Sequence, residues 1–233
     1  MPAAAAGKTL VLGLFENGPY MGEKQPEKGM LAALVTEAFR REGLNVKYKF
    51  LPLKRLYAVL DDGEIDGAVG APVSAQRKTV FLYSAPLYRV NYNFFARKQD
   101  QIRFTSLDAL KPYRIGLVRG GLNETELLAA GMKVDAVSDH TQNIRKLLAG
   151  RVDLIVSVTD YTNHLLQTKV TPQERLQLEM LEPPFAVRDK YFAMSKKRHN
   201  SEKLMAVFNR SLARMKKDGS YDEIVRRFRT IKP

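Results

Sequence analysis

The chain has 233 residues, 45% hydrophobic and 27% charged, with a net charge of +13 and no cysteine. That length fits one large domain or two small ones with ample core. Zero cysteine excludes disulfides and thiolate metal sites, and no apolar run approaches the roughly 18 residues needed to cross a membrane. The positive charge raises nucleic-acid binding. However, Lys and Arg are spread along the chain and concentrate in 188–233 at helical spacing, on a face expected to be solvated. No homeodomain, zinc-finger or RNA-recognition signature is present, so no nucleic-acid partner is expected. A cationic surface drawn to an anionic membrane or solute is the competing use of the charge. Met1 to Gly7, MPAAAAG, is too short for a signal peptide and lacks its basic start and apolar core. It reads as a small-residue remnant, with the native signal peptide absent from this chain.

In chain order, Thr9 to Leu14 is a short apolar strand, and Phe15 to Tyr20 is a loop at its carboxyl end. From Met30 the apolar residues Leu31, Leu34, Val35, Ala38 and Phe39 fall at helical period, stopped by Gly43. Val46, Tyr48 and Phe50 alternate with lysines, which predicts a strand with one wet face. Leu53, Leu56, Tyr57 and Leu60 predict a helix ended by Gly63, and Ile65 to Val69 a strand. This order implies a parallel sheet covered by helices.

The stretch Gly63 to Tyr88 organises the rest. Its small-residue loop, Gly70 to Gln76, lets a ligand approach the backbone. Arg77 follows, and its planar fork suits a carboxylate. Ligands of such sheets sit beyond the carboxyl ends of the strands. That places Phe15–Tyr20 and Gly70–Arg77 on one rim. The plainer reading is a solvated surface Arg after a turn.

The pattern then restarts. Val90 to Arg97 reads as a long extended run and Ser106 to Leu110 as a short helix. Arg114 to Val118 is a strand, followed by Gly120-Gly121 and a helix that Asn123 is placed to cap, with Glu126 three residues on. Lys133–Val137 and Val152–Val158 are strands around a helix through Ile144, Leu147 and Leu148. Leu60-Asp-Asp-Gly-Glu-Ile-Asp66 and Leu148-Ala-Gly-Arg-Val-Asp153 share one phrase, which fits two similarly built α/β lobes. Leu176–Leu181 and Tyr191–Met194 are extended, and two amphipathic helices close the chain. His140, His164 and His199 lack metal-ligand spacing and read as surface residues.

Several stretches, in order over almost the whole chain, resemble the extracellular solute-binding protein family that includes the lysine/arginine/ornithine-, histidine- and glutamine-binding periplasmic proteins. They are Gly63-x-Ile-Asp66, Ala75-Gln-Arg77, Phe81-x-Tyr-Ser-x-Pro-x-Tyr88, Leu107-x-x-Leu110, Ile115-Gly-Leu-Val-x-Gly120, Gly150-x-Val-Asp153, and Asn209-x-x-Leu212 with Asp218-Gly219 and Ile224. The resemblance implies a two-lobed periplasmic-binding-protein-like α/β fold, each lobe a mostly parallel sheet flanked by helices. Residues 1–92 plus 193–233 would form one lobe and 93–192 the other, with hinge strands near 90–97 and 186–194.

The resemblance maps the carboxylate-binding Arg onto Arg77, beside Gly70. It maps the second-lobe anion loop onto Gly120, Gly121, Leu122 and Asn123, and the stacking aromatic onto Tyr20. The family's ammonium-binding acid falls on Val158, with Asp160 two residues later and Glu16 as substitute acids. The implied function is non-enzymatic binding of a small carboxylate-bearing solute, an amino acid or related polar metabolite, in an interlobe cleft. The receptor would be a periplasmic, or extracellular and membrane-associated, monomer delivering to the permease of an ABC transporter. No catalytic residue, cofactor or metal is expected. The alternatives are a ligand-sensing module and, further off, a dehydratase-like enzyme using Glu16 or Asp160.

Overall fold

The computed structural model describes residues 9–230, so the leader-remnant reading of residues 1–7 lies outside the described residues. The described chain divides into two compact units: 9–51, 55–88 and 189–230 form the first, and 52–54 with 89–188 the second.

The first unit opens with β1 (Thr9–Leu14), α1 (Met30–Arg40), β2 (Asn45–Phe50) and α2 (Leu53–Asp61). β3 (Gly67–Ala71), α3 (Ala75–Val80) and β4 (Phe81–Tyr83) follow. β1 pairs in parallel with both β2 and β3, as helical crossovers require. β2 is the edge of this sheet. It keeps Lys47 and Lys49 exposed, which guards the edge against pairing with another chain. On its other face the Tyr48 hydroxyl donates to Ala32 O at 2.8 Å and meets Thr36 Oγ1 at 2.8 Å. β3 starts two residues later than the apolar run predicts.

The second unit runs through β5 (Tyr88–Arg97), β6 (Arg114–Val118), α4 (Leu122–Ala129), β7 (Lys133–Val137) and α5 (His140–Leu148). It continues with β8 (Leu154–Val158), α6 (Thr159–Thr168), α7 (Pro172–Leu176) and β9 (Leu178–Met180). β6 pairs in parallel with β7 and β8, while β5 runs antiparallel to β8 and β9. Phe94 anchors the core between Phe104 and Phe185, ring centroids 5.0 and 5.2 Å away, over Ile115, Leu117 and Leu154. α7 ends at Leu176, the first residue of the stretch the sequence reads as extended, and the strand itself, β9, begins at Leu178. α7 is opened by a capping box in which Thr171 and Glu174 exchange side-chain-to-backbone bonds.

The chain returns to the first unit with β10 (Ala186–Ser195), α8 (Ser201–Lys217) and α9 (Ser220–Thr230). β10 runs antiparallel to β3 and β4. Phe192 of β10 and Phe208 of α8 close on Phe39 of α1, with centroids 4.9 to 5.4 Å apart.

The shared phrase of the two halves has one structural use. Asp66, just before β3, accepts the Val11 N–H at 2.7 Å and pairs with Arg198 at 2.5 Å. Arg198 also donates to Gly63 O at 2.6 Å. Asp153, just before β8, accepts the Arg114 N–H at 2.7 Å and faces Arg97 at 3.8 Å. Arg97 also donates to Leu147 O and Val152 O at 2.5 and 2.8 Å. In each unit one carboxylate ties two parallel strands, and an arginine clamps it to the helix–strand junction.

Candidate functional site

In the first unit the expected residues gather where β1 and β3, paired in parallel at Leu12–Gly67, reach their carboxyl ends. The loop after β1 folds back through Asn17, whose N–H donates to Met21 O at 2.8 Å and whose carbonyl accepts the Met21 N–H at 3.0 Å. Tyr20 is buried by this turn, its ring centroid 5.6 Å from that of Tyr88. Glu16 is exposed, and its Oε1 accepts the Glu23 N–H at 2.8 Å. That bond gives Glu16 a role within its own loop. Gly70 has φ +78°, and a Cβ there would lie 2.5 Å from Met21 Cε. Both the backbone angle and the space therefore call for glycine.

Arg77 does not lie just beyond a loop. It is the third residue of α3, where its N–H donates to the Oγ of the cap Ser74 at 3.2 Å. The guanidinium carbon stands 3.8 Å from the centroid of the Tyr57 ring, and the side chain is half-buried. The ring face attracts the cation and fixes the plane of its fork. Burial pushes the Tyr83 hydroxyl up to about 12, and the Arg77 charge pulls against that rise.

In the second unit the expected residues again sit at strand carboxyl ends. Gly120, at φ +82°, follows β6, and its N–H donates to Glu124 Oε2 at 2.5 Å. Gly121 is the N-cap of α4, and Leu122 and Asn123 are its first two residues. The cap is thus Gly121 where the sequence pattern points to Asn123. Asn123 instead turns inward, 9% exposed, with its Oδ1 buried and without a hydrogen-bond partner among the described residues. Val158 ends β8, buried, at the N-cap of α6. Asp160 is exposed in the first turn of that helix. A carboxylate there favours the helix end, so Asp160 also has a local structural use. His140 is half-buried against β8, unlike the surface residue its sequence context predicts. Among the described residues no group of three or more His, Asp or Glu side chains is placed to hold a metal ion.

This pair of α/β units, each built on a sheet of parallel strands joined by an antiparallel one and each with its residues at the strands' carboxyl ends, is the architecture of periplasmic binding proteins. The family profile of the bacterial extracellular solute-binding proteins, family 3, matches residues 15–230, and the chain belongs to that family. It is 26% identical over 179 residues to the lysine/arginine/ornithine-binding periplasmic protein of Escherichia coli (strain K12). That match covers 71% of this chain and 65% of the relative, so the chain spans less than two thirds of that protein's length. Among solved structures, an ancestral arginine-binding protein bound to arginine superposes with a TM-score of 0.82 at 23% identity, covering 96% of this chain and 99% of the other. The substrate-binding protein of an amino acid ABC transporter gives 0.80 at 19% identity, covering 94% and 98%.

Proposed function

We propose that this chain is a non-catalytic receptor for a small carboxylate-bearing solute, an amino acid or a related polar metabolite, taken up between its two units. The observation that carries this reading is Arg77. It projects from a capped helical turn at the carboxyl end of β3, over the face of Tyr57 at 3.8 Å. A half-buried guanidinium with its plane already fixed loses little freedom when it takes a carboxylate by two parallel bonds. Tyr20 is the apolar wall of this half of the site, and Gly70, packed under Met21 near the end of β3, holds the turn of the backbone beside it.

The second unit contributes the α4 start at Gly121–Asn123, whose N–H groups favour an anion. Val158 is apolar at the position where family members that bind α-amino acids usually carry an acid. An ammonium on the solute therefore falls to Asp160 or Glu16. Closure of the units on the solute is the binding step, since a ligand shifts a conformational equilibrium by its differential affinity for the two states. The reading places the protein at the outer face of a bacterial membrane, as a monomer handing its solute to the permease of an ABC transporter. It is supported by the family description and by a relative named as periplasmic.

The test is calorimetry and thermal shift with L-arginine, L-glutamine, L-glutamate and succinate. A cognate solute at 100 times its Kd adds about 2.7 kcal/mol to stability. Arg77→Ala is expected to abolish that gain while leaving the unliganded melting temperature within a few degrees. Unchanged affinity in this variant would overturn the assignment of Arg77.

A further inference from the structure

The outward face of α8 carries charge that the first unit does not answer. The helix buries Met205, Phe208, Leu212 and Met215. At about 3.6 residues per turn, Lys203, Arg210 and Lys217 fall on one line opposite that buried face, with two turns, about 10 Å, between successive cations. All three are exposed. None of them makes an ion pair or a side-chain hydrogen bond among the described residues. Neighbouring cations are taken up within the unit: Arg214 pairs with Glu42, Lys216 Nζ donates to Pro86 O at 2.9 Å, and Arg41 pairs with Asp218 at 2.6 Å. Between the three cations stand Ala206 and Ala213, also exposed, and the stretch from Lys203 to Lys217 holds no acidic residue.

Three cations in a row with no acid between them attract an anionic surface. What the ridge lacks points to the kind of surface. A protein partner is held through an apolar, aromatic-rich centre. The exposed large apolar side chains of the described residues, Leu128, Leu176, Met180 and Val187, all lie in other elements, and the ridge offers only two alanine methyls. A layer of anionic headgroups asks for charge alone, and each Lys or Arg near it adds to the attraction. The small side chains between the cations let all three reach such a layer together. The surrounding sequence has the same sign: 188–233 holds 14 Lys and Arg against five Asp and Glu, so no run of acids offsets the ridge.

We propose that Lys203, Arg210 and Lys217 form a docking ridge for an anionic phospholipid surface, each cation meeting headgroup phosphates. Among the described residues no helix is long and apolar enough to cross a membrane, and the ridge inserts nothing. It holds the protein at the bilayer by charge, which salt screens. None of the three residues belongs to the candidate solute site, so the outcome is independent of the role of Arg77.

The experiment is vesicle co-sedimentation of the whole chain at low and at high sodium chloride. One set of vesicles is phosphatidylcholine, the other phosphatidylcholine with one-third phosphatidylglycerol. The ridge variant combines Lys203→Gln, Arg210→Gln and Lys217→Gln, since glutamine keeps the helix. A control removes the same charge from exposed lysines elsewhere in the first unit, by Lys24→Gln, Lys47→Gln and Lys49→Gln. The unsubstituted protein and the control are expected to bind the anionic vesicles at low salt, to leave the neutral ones, and to release at high salt. The ridge variant is expected to bind at least about tenfold more weakly, with its melting temperature unchanged. If it melts early, the three single substitutions stand in, each expected to show part of the loss. Equal loss in the ridge variant and the control assigns the effect to net charge and overturns the ridge. Equal binding to neutral and anionic vesicles, or binding to neither, also overturns it. Capture of poly-L-glutamate by the unsubstituted protein and not by the ridge variant, without vesicle binding, assigns the ridge to an acidic protein and overturns the lipid assignment.

Discussion

Removing the Asp66 carboxylate strands two donors, the N–H of Val11 and the guanidinium of Arg198. Asp66 is buried, so Asp66→Ala is expected to cost about 2–3 kcal/mol. Asp153→Ala should cost less, because its side chain is 37% exposed and Arg97 keeps Asp100 at 2.5 Å. Urea unfolding of the two variants measures the difference, and a larger loss at Asp153 would contradict the ranking. Tyr83 offers a second check. Its folded pKa near 12 lies above the ordinary tyrosine value of 10.0, through burial. The unfolded chain therefore ionises first, and this contribution to stability is present below pH 10 and is lost as pH rises toward 12. Arg77→Ala removes the charge that lowers the Tyr83 value, so the phenol absorbance titration should move to still higher pH. At this scale the sequence is readable where the signal is local. Gly-x-Ile-Asp66 and Gly-x-Val-Asp153 stand out as written, while the Arg198 partner of Asp66 lies 132 residues away. The setting of His140 is invisible for the same reason, since its hydrogen-bond partner Ser157 lies on β8, 17 residues along.

Among the elements, those with strong periodicity are found where the pattern places them. α1 is one, with its apolar face at Leu31, Leu34, Val35, Ala38 and Phe39 buried. α3 has six residues with none buried, so no apolar period marks it, and Arg77 reads as the residue just beyond a loop. α6 starts at Thr159, behind Val158, whose side chain cannot cap; the strand's apolar run passes straight into the helix without a signal. α7 does carry its signal, Thr171-Pro-Gln-Glu174, but its helix is only five residues long. At the start of α9, Asp218 accepts bonds from the Ser220 hydroxyl at 2.6 Å, from Arg41 at 2.6 Å and from the Ser220 N–H at 3.0 Å. The Ser220 hydroxyl is the largest of the causes that hold its carboxyl at about 2. A depressed carboxylate contributes stability above its unfolded pKa and loses it as pH falls through the folded value. Acid unfolding between about pH 4 and 2 should therefore be shallower in Asp218→Asn, and an identical profile would remove this carboxylate from the account.

The whole molecule is a nested chain. The second unit is essentially one continuous stretch, 89–188, whereas the first is built from segments on both sides of it. The aromatic cluster of the first unit shows what this division entails. Phe39 belongs to the early segment, and Phe192 and Phe208 to the late one. A chain ended at Arg188 should keep slow amide exchange in β6, β7 and β8 and lose it in β1 and α1. Uniform loss would show that the second unit has no independent stability. Because synthesis proceeds from the amino end, the inserted unit has its whole sequence before the unit that encloses it. Until β10 and α8 emerge, α1 and the β1–β3 sheet wait with Phe39 uncovered. For a protein proposed to work on the far side of a membrane, that interval is when an export or chaperone system would find an unfinished apolar face to hold, and it ends only when the last 40 or so residues arrive.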